Sequence, residues 1–240
     1  MNSPIGLEQC LSFINCQLHP SKPRPGFCAD LTGFSAITVS RQAGAGGHAI
    51  AELLAQHLQS QEPRASRPWV VFDRNLVETV LEDHNLPARL ARFMPEDRVS
   101  EISDTMDELF GLHPPSWLLV RKTSETILHL AELGHVILIG RGSNVITSRL
   151  PQVFHIRLVG SVGTRAQRLQ ELNKLSHKEA LRLADREDLA RRGYVKQYFD
   201  KNIDDPLLYH LVINTDLISF DETARMITLA LAPKAMAMAV

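Results

Sequence analysis

Apolar residues in this chain come in two alternating kinds of run. Short, nearly continuous blocks at residues 37–39, 69–72, 136–139, 153–158 and 211–213 are separated by longer stretches in which apolar positions return every three or four residues. Continuous apolarity marks strands covered on both faces, as parallel strands between helical layers are. Five such blocks joined by helix-length connections predict an α/β fold built on one five-stranded parallel sheet with right-handed crossovers. After the first block, Ile50, Leu53, Leu54, His57 and Leu58 share one helical face. That helix is expected to pack on the sheet, with His57 as part of the packing face.

Two regions fall outside the alternation. Residues 1–35 carry a short amphipathic segment (Leu7, Cys10, Leu11, Ile14) and then a passage broken by Pro20, Pro23, Pro25 and Gly26. They are expected to form an appendage and linker ahead of a domain at 36–240. Residues 74–135, mostly helical in pattern and broken at Pro87, Pro95, Pro114 and Pro115, are too long for a simple crossover. A long connection beside the ligand crevice is expected to carry specificity. Further on, residues 176–199 interleave Arg182, Arg186, Arg191, Arg192 and Lys196 with Glu179, Asp185, Glu187 and Asp188, the pattern of an exposed helix held by i,i+4 pairs.

Composition narrows the possibilities. With 240 residues and 44% hydrophobic content the chain can bury a full core, and the expectation is a single α/β domain with a mobile subregion. A formal charge of −1, from 26 basic and 27 acidic residues, lacks the basic excess that counterion release from nucleic acid demands. No uncharged apolar stretch approaches the ~20 residues of a membrane span, and the N-terminus lacks a signal pattern, so a cytoplasmic protein without a membrane partner is expected. Cys10, Cys16 and Cys28 are odd in number and lack C-x-x-C spacing. They suit reduced thiols better than a disulfide framework or, with His19, a zinc site. The acidic run Glu96, Asp97, Glu101, Asp104, Asp107 and Glu108 suits a solvated face, so no metal site is expected.

The candidate chemistry begins where the first block ends, in Ser40-Arg41-Gln42-Ala43-Gly44-Ala45-Gly46-Gly47-His48. A Gly-rich elbow that closes a strand and opens a helix presents free N–H groups and a positive dipole end, a cradle for phosphate. Against the Walker pattern G-x-x-x-x-G-K-[ST], Arg41 stands at the first glycine, Gly47 at the lysine and His48 at the hydroxyl. His48 opens the helix and either meets an anion or faces solvent. Ligands of open α/β sheets bind outside the carboxyl ends of the strands. There the second block is followed by Asp73-Arg74, the third by Gly140-Arg141-Gly142 and the fifth by Asn214-Thr215-Asp216. A glycine-flanked arginine has its fork free for bidentate phosphate binding, which makes Arg141 the strongest single candidate. Asp73 would either hold Mg²⁺ or orient an acceptor. Backbone donors, arginines, a metal ion and a closing segment are the parts phosphoryl transfer requires.

These residues resemble the cytidylate kinase-like family, a nucleoside monophosphate kinase branch of the P-loop fold. The resemblance runs from about 36 to 231 and is carried by SRQAGAGG at 40–47, Val71-Phe72-Asp73, Ile139-Gly140-Arg141-Gly142, the Tyr-rich run 194–199 and DDPLLYHLVINTDLIS at 204–219. It implies a P-loop three-layer fold with a helical acceptor-binding insertion at 74–135 and a lid at 176–205. Gly44, Ala45, Gly46 and Gly47, with His48, would wrap the donor phosphates of ATP. Asp188 and Arg191 match the D-x-x-R of the lid, and Arg186 and Arg192 lie close by without matching in register. Taken with the residues' own chemistry, the candidate catalytic set is Arg41, Arg141, Arg186 and Arg191, and the candidate acceptor set is Asp73, Arg74, Arg141, Asp188 and Arg192. The implied activity moves the ATP γ-phosphate, with Mg²⁺, to a nucleoside monophosphate, CMP or dCMP by family default.

Three departures accompany the match. The lysine is absent, Gly142 replaces an aspartate that reads the cytosine amine, and Arg74 replaces a serine. Losing one transition-state cation costs on the order of 10²-fold in rate unless Arg41 or His48 supplies it. The alternative is a degenerate kinase that senses a nucleotide or another anion and acts through partners, with residues 1–35 as a docking piece. A non-nucleotide acceptor is a third possibility.

Overall fold

Each of the five apolar blocks forms a strand in a computed structural model that describes residues 34–61, 68–73 and 118–231. The strands are β1 (Ala36–Arg41), β2 (Val70–Phe72), β3 (Val136–Ile139), β4 (Val153–Val159) and β5 (Leu211–Asn214). All pair in parallel, in the order β2-β3-β1-β4-β5. The helices are α1 (Gly47–Gln61), α2 (Leu118–Leu133), α3 (Ser143–Ile146), α4 (Val162–Asn173), α5 (His177–Phe199) and α6 (Phe220–Leu231). Expectations for residues 1–33, with all three cysteines, for the acidic run 96–108 and for Arg74 lie outside the described residues.

Side-chain alternation sends the sheet's apolar residues into two cores. Ile37, Val39, Ile137, Ile139, Phe154, Ile156 and Leu158 meet α1 and α6 on one face. Ala36, Val136, Leu138 and Val153 meet α2, α3 and α5 on the other. The result is three layers, with β1 central and covered on both sides. Burying a residue such as Ile50 or Leu54, both fully enclosed, stabilises the packing by roughly 1.5–3 kcal/mol each. His57, expected on the packing face of α1, joins that helix to α6 through Asp221, Nε2 to Oδ1 at 3.0 Å.

Two findings refine the pattern reading. Ile127, Leu128, Leu130 and Ala131 of α2 are buried in the core. This last part of the 74–135 segment therefore covers the sheet rather than forming an insertion. Block 153–158 is also less apolar than its neighbours, because His155 and Arg157 alternate within it and are nevertheless buried. Thr38 Oγ1 lies 2.8 Å from His155 Nδ1, and Arg157 Nη1 donates to Ser40 Oγ at 2.8 Å, so a polar seam runs between β1 and β4. Burial, reinforced by neighbouring His210, pulls His155 down to about 4.

The charged stretch forms α5 behind a capping box, in which the Glu179 carboxylate accepts from Ser176 N–H at 2.9 Å. Ala180, Ala184, Asp188, Val195 and Phe199 make a buried stripe, so only the remaining faces are solvated. Among the described residues no helix is long and apolar enough to cross a membrane.

Candidate active site

The elbow leaves the carboxyl end of β1, where connections diverge to the two sides of the sheet and a crevice opens. Gln42 N–H donates to Leu158 O at 3.0 Å and Ala45 N–H to Gln42 O at 3.2 Å, which closes a tight turn. Gly44 and Gly46 adopt φ of +75° and +81°. A Cβ on Gly44 would stand 2.3 Å from the Arg165 carbonyl oxygen, and one on Gly46 2.3 Å from the Phe220 ring. Glycine is needed at both for conformation and for space. The N–H groups of Gly47, His48 and Ala49 meet no backbone acceptor among the described residues, as the first turn of a helix requires.

Arg41, the last residue of β1, crosses the mouth of this turn. Its Cγ lies 2.8 Å from where a Gly47 Cβ would be, and its Nη1 2.0 Å from where a Gly140 Cβ would be. The fork ends at Asp73, Nη2 to Oδ1 at 3.4 Å. Burial, then the nearby Arg191 charge, lowers Arg41 to about 10; Arg141 adds to the effect and Asp73 opposes it. It is a cation at neutral pH, short of counter-charge. Asp73 also faces His48, Oδ2 to Nδ1 at 3.7 Å, while His48 Nε2 reaches Glu52 at 3.1 Å.

Arg141 is exposed and makes no hydrogen bond or ion pair with a described residue. With a φ of +56°, it joins Gly140 (+76°) and Gly142 (+71°) in a run of three left-handed residues. Holding a non-glycine residue there costs about 1–2 kcal/mol, a strain of the kind that collects at functional sites. Gly142 has its own steric reason: a Cβ would come within 2.5 Å of the Phe199 ring.

The lid arginines divide. Arg191 is anchored by Glu187 (2.7 Å) and Asp188 (3.4 Å) with its charge felt at Arg41. Arg192 is committed to Asp204, Nε to Oδ2 at 2.9 Å, and Arg157 donates to the same carboxylate at 2.5 Å. Burial opposes the Asp204 charge, yet Arg192 and Arg157 outweigh it and hold that carboxyl below its ordinary value. Arg186 is exposed without an ion pair among the described residues. Asp188 turns inward: Oδ1 accepts Ala43 N–H at 2.7 Å and Oδ2 accepts Arg165 Nη1 at 2.7 Å. Arg41, His48, Asp73, Arg141 and Arg191 thus gather at the elbow, Arg192 is engaged by Asp204, and Asp188 is engaged by Ala43 and Arg165.

The model of the cytidylate kinase-like family matches residues 36–217. The chain belongs to the cytidylate kinase-like family. A solved structure of an uncharacterized protein from Eubacterium ventriosum ATCC 27560 is similar over 82% of this chain and 97% of its own, with a TM-score of 0.62 and 21% identity. Shikimate kinase from Acinetobacter baumannii in complex with shikimate aligns over 85% of this chain and 96% of its own, at a TM-score of 0.40 and 14% identity. No curated protein matches the sequence.

In this cytidylate kinase-like chain, three buried or half-buried arginines escape a reading by motif. Arg165 binds Ala43 O (2.8 Å), Gly160 O (2.9 Å) and Asp188, locking elbow to α4 and α5. Arg168 donates to Thr215 O at 2.6 Å and stacks over Phe220, 4.9 Å from the ring centre. Arg157 interrupts an apolar strand block, and that interruption is the available signal. No comparable mark distinguishes Arg165 or Arg168 from solvated helix charges. Among the described residues no group of three or more His, Cys, Asp or Glu converges as a metal site would require.

Proposed function

We propose that this protein is a nucleotide kinase-like phosphotransferase that moves the γ-phosphate of ATP to a nucleoside monophosphate, with CMP or dCMP as first candidates. One observation carries the proposal: Arg41, Arg141 and Arg191 gather at a glycine elbow whose first-turn N–H groups meet no backbone acceptor among the described residues. Such a cradle suits a triphosphate, because helix-opening N–H groups and clustered cations favour a polyanion, and the glycines let Arg165, Phe220 and Arg41 pack against the loop that presents them.

The elbow N–H groups would hold the donor phosphates, and Arg141, whose fork engages none of the described residues, would bind the acceptor phosphate bidentately. An acceptor phosphate oxygen forms the new bond to the γ-phosphorus as the bond to the β,γ-bridging oxygen breaks, leaving ADP and a nucleoside diphosphate. Arg41 and Arg191 would offset the charge that develops between the two. Mg²⁺, which takes one or two carboxylates and keeps several waters, would neutralise phosphate charge. Asp73 could serve as such a ligand by yielding Arg41 or His48. Helix α5, tied to the elbow through Asp188, would exclude water.

A coupled ADP-release assay with Mg-ATP across the nucleoside monophosphates tests the proposal. Turnover with at least one acceptor is expected. Tight nucleotide binding with no turnover on any acceptor would leave the sensor as the standing alternative.

A further inference from the structure

Lysine at position 47 and arginine at position 41 compete for the same space, and this chain has resolved the competition in favour of Arg41. We infer that Arg41 is a transposed phosphate cation that reaches the polyphosphate of a nucleoside triphosphate along a path kept open by Gly47 and Gly140. This role rests on the ATP-dependent transfer proposed above and says which residue supplies its missing charge.

The stem decides the path. A Cβ at position 47 would meet Arg41 Cγ at 2.8 Å and its Cβ and Cδ at 3.3 Å, contacts near the root of the side chain that are relieved only by a turn about χ1 that carries the whole guanidinium away. Any side chain at 47 therefore displaces Arg41. At the far end a Cβ at 140 would meet Nη1 at 2.0 Å and Cζ at 3.1 Å, so the guanidinium lies against bare backbone at the end of β3. β3 is the neighbour of β1 and β2 lies beyond it, so Arg41 spans the carboxyl edge toward Asp73. Its head is thereby delivered between the elbow and Arg141.

The charge balance gives this head an affinity for anions. Its ion-pair partner is Asp73 at 3.4 Å and Glu187 attracts it from farther off, whereas burial, Arg191 and Arg141 all work against its charge. A largely buried cation in that position gains from a polyanion that bridges all three arginines. An arginine fork can also engage two phosphate oxygens where lysine offers a point charge.

Calorimetric titration of the full chain with Mg-ATP, inorganic triphosphate and adenosine tests this, using Arg41→Met, Arg41→Lys, Gly47→Lys and the double change Arg41→Gly with Gly47→Lys. Arg41→Met keeps the stem and removes the charge, and should weaken triphosphate and Mg-ATP at least ~10-fold while leaving adenosine unchanged. Arg41→Lys should lose less. Gly47→Lys alone should also weaken binding, because two stems collide, and the double change should recover most of the loss. Arg41→Met binding triphosphate as tightly as the unchanged protein would overturn the inference and leave the proposed function standing. An unchanged protein that binds neither Mg-ATP nor triphosphate would overturn the ATP-dependent function and this role with it. Thermal unfolding confirms that each variant is folded; the Met and Lys variants decide the matter if the double change is not.

Discussion

Arg141 sits between two glycines, and its neighbours explain why. Gly140 makes room for the Arg41 head and Gly142 for the Phe199 ring, and all three residues are left-handed. Only Arg141 keeps a side chain there, at a cost in backbone strain, and that side chain has no partner among the described residues. Arg141→Gly separates the two effects. The variant should unfold at a higher denaturant concentration, gaining up to about 1 kcal/mol once the greater unfolded-chain entropy of glycine, roughly 0.5–1 kcal/mol, is set against the relieved strain. It should also lose at least ~10²-fold in acceptor turnover, because no transition-state cation remains at that point. Unfolding curves and coupled kinetics on one preparation check both signs. The candidacy of Arg141 was legible from G-R-G after an apolar block. The reason for Gly142 was not, since Phe199 lies far along the chain and meets it only after α5 has packed.

Helix α5 illustrates the same limit one scale up. Its charges were legible as i,i+4 pairs, and Arg191 with Glu187 forms one. Its buried stripe was not, because a carboxylate on that stripe looks identical in sequence to one facing water. Asp188 is buried with Arg165, their side chains 10% and 5% exposed, and together they hold the elbow at Ala43. Removing one member of such a pair strands the other. Asp188→Asn should therefore destabilise the protein by about 3 kcal/mol or more and weaken Mg-ATP binding by loosening the elbow. Asp188→Asn combined with Arg165→Met should be less destabilised than the sum of the two single changes. A double-mutant cycle read by denaturant unfolding measures that coupling, and additive losses would show that the pair does not act as a unit.

At the scale of the whole molecule, burial among the described residues holds His129 and His155 neutral. Burial lowers His129 to about 4, and burial together with His210 lowers His155 to about 4. In the unfolded chain both titrate near the ordinary value of about 6.5. Between these limits the unfolded state binds protons that the fold refuses, so global stability should fall as pH drops from about 6.5 toward 4. Each histidine contributes a slope of up to ~1.4 kcal/mol per pH unit. Urea unfolding from pH 7.5 to 5 should show this decline, and His155→Gln should flatten part of it. A flat profile would mean that these rings are not held neutral by the fold.

Local pattern along the chain encodes five covered strands, a parallel α/β sheet, a glycine elbow, and arginines and an aspartate at strand ends. Each of these depends on residues within a turn or two of one another, and period, glycine and apolarity report them directly. Tertiary structure decided the strand order, the commitment of Arg192 to Asp204 and Asp188 to Ala43, and the crossing of Arg41 over Gly47 and Gly140. Those contacts depend on which strands become neighbours. The closed elbow places Ala43 on Asp188 across 145 positions, a pairing that no local spacing can express. The charge missing from the loop became visible on Arg41 for the same reason, because β3 lies beside β1 and leaves a bare backbone for that side chain to cross.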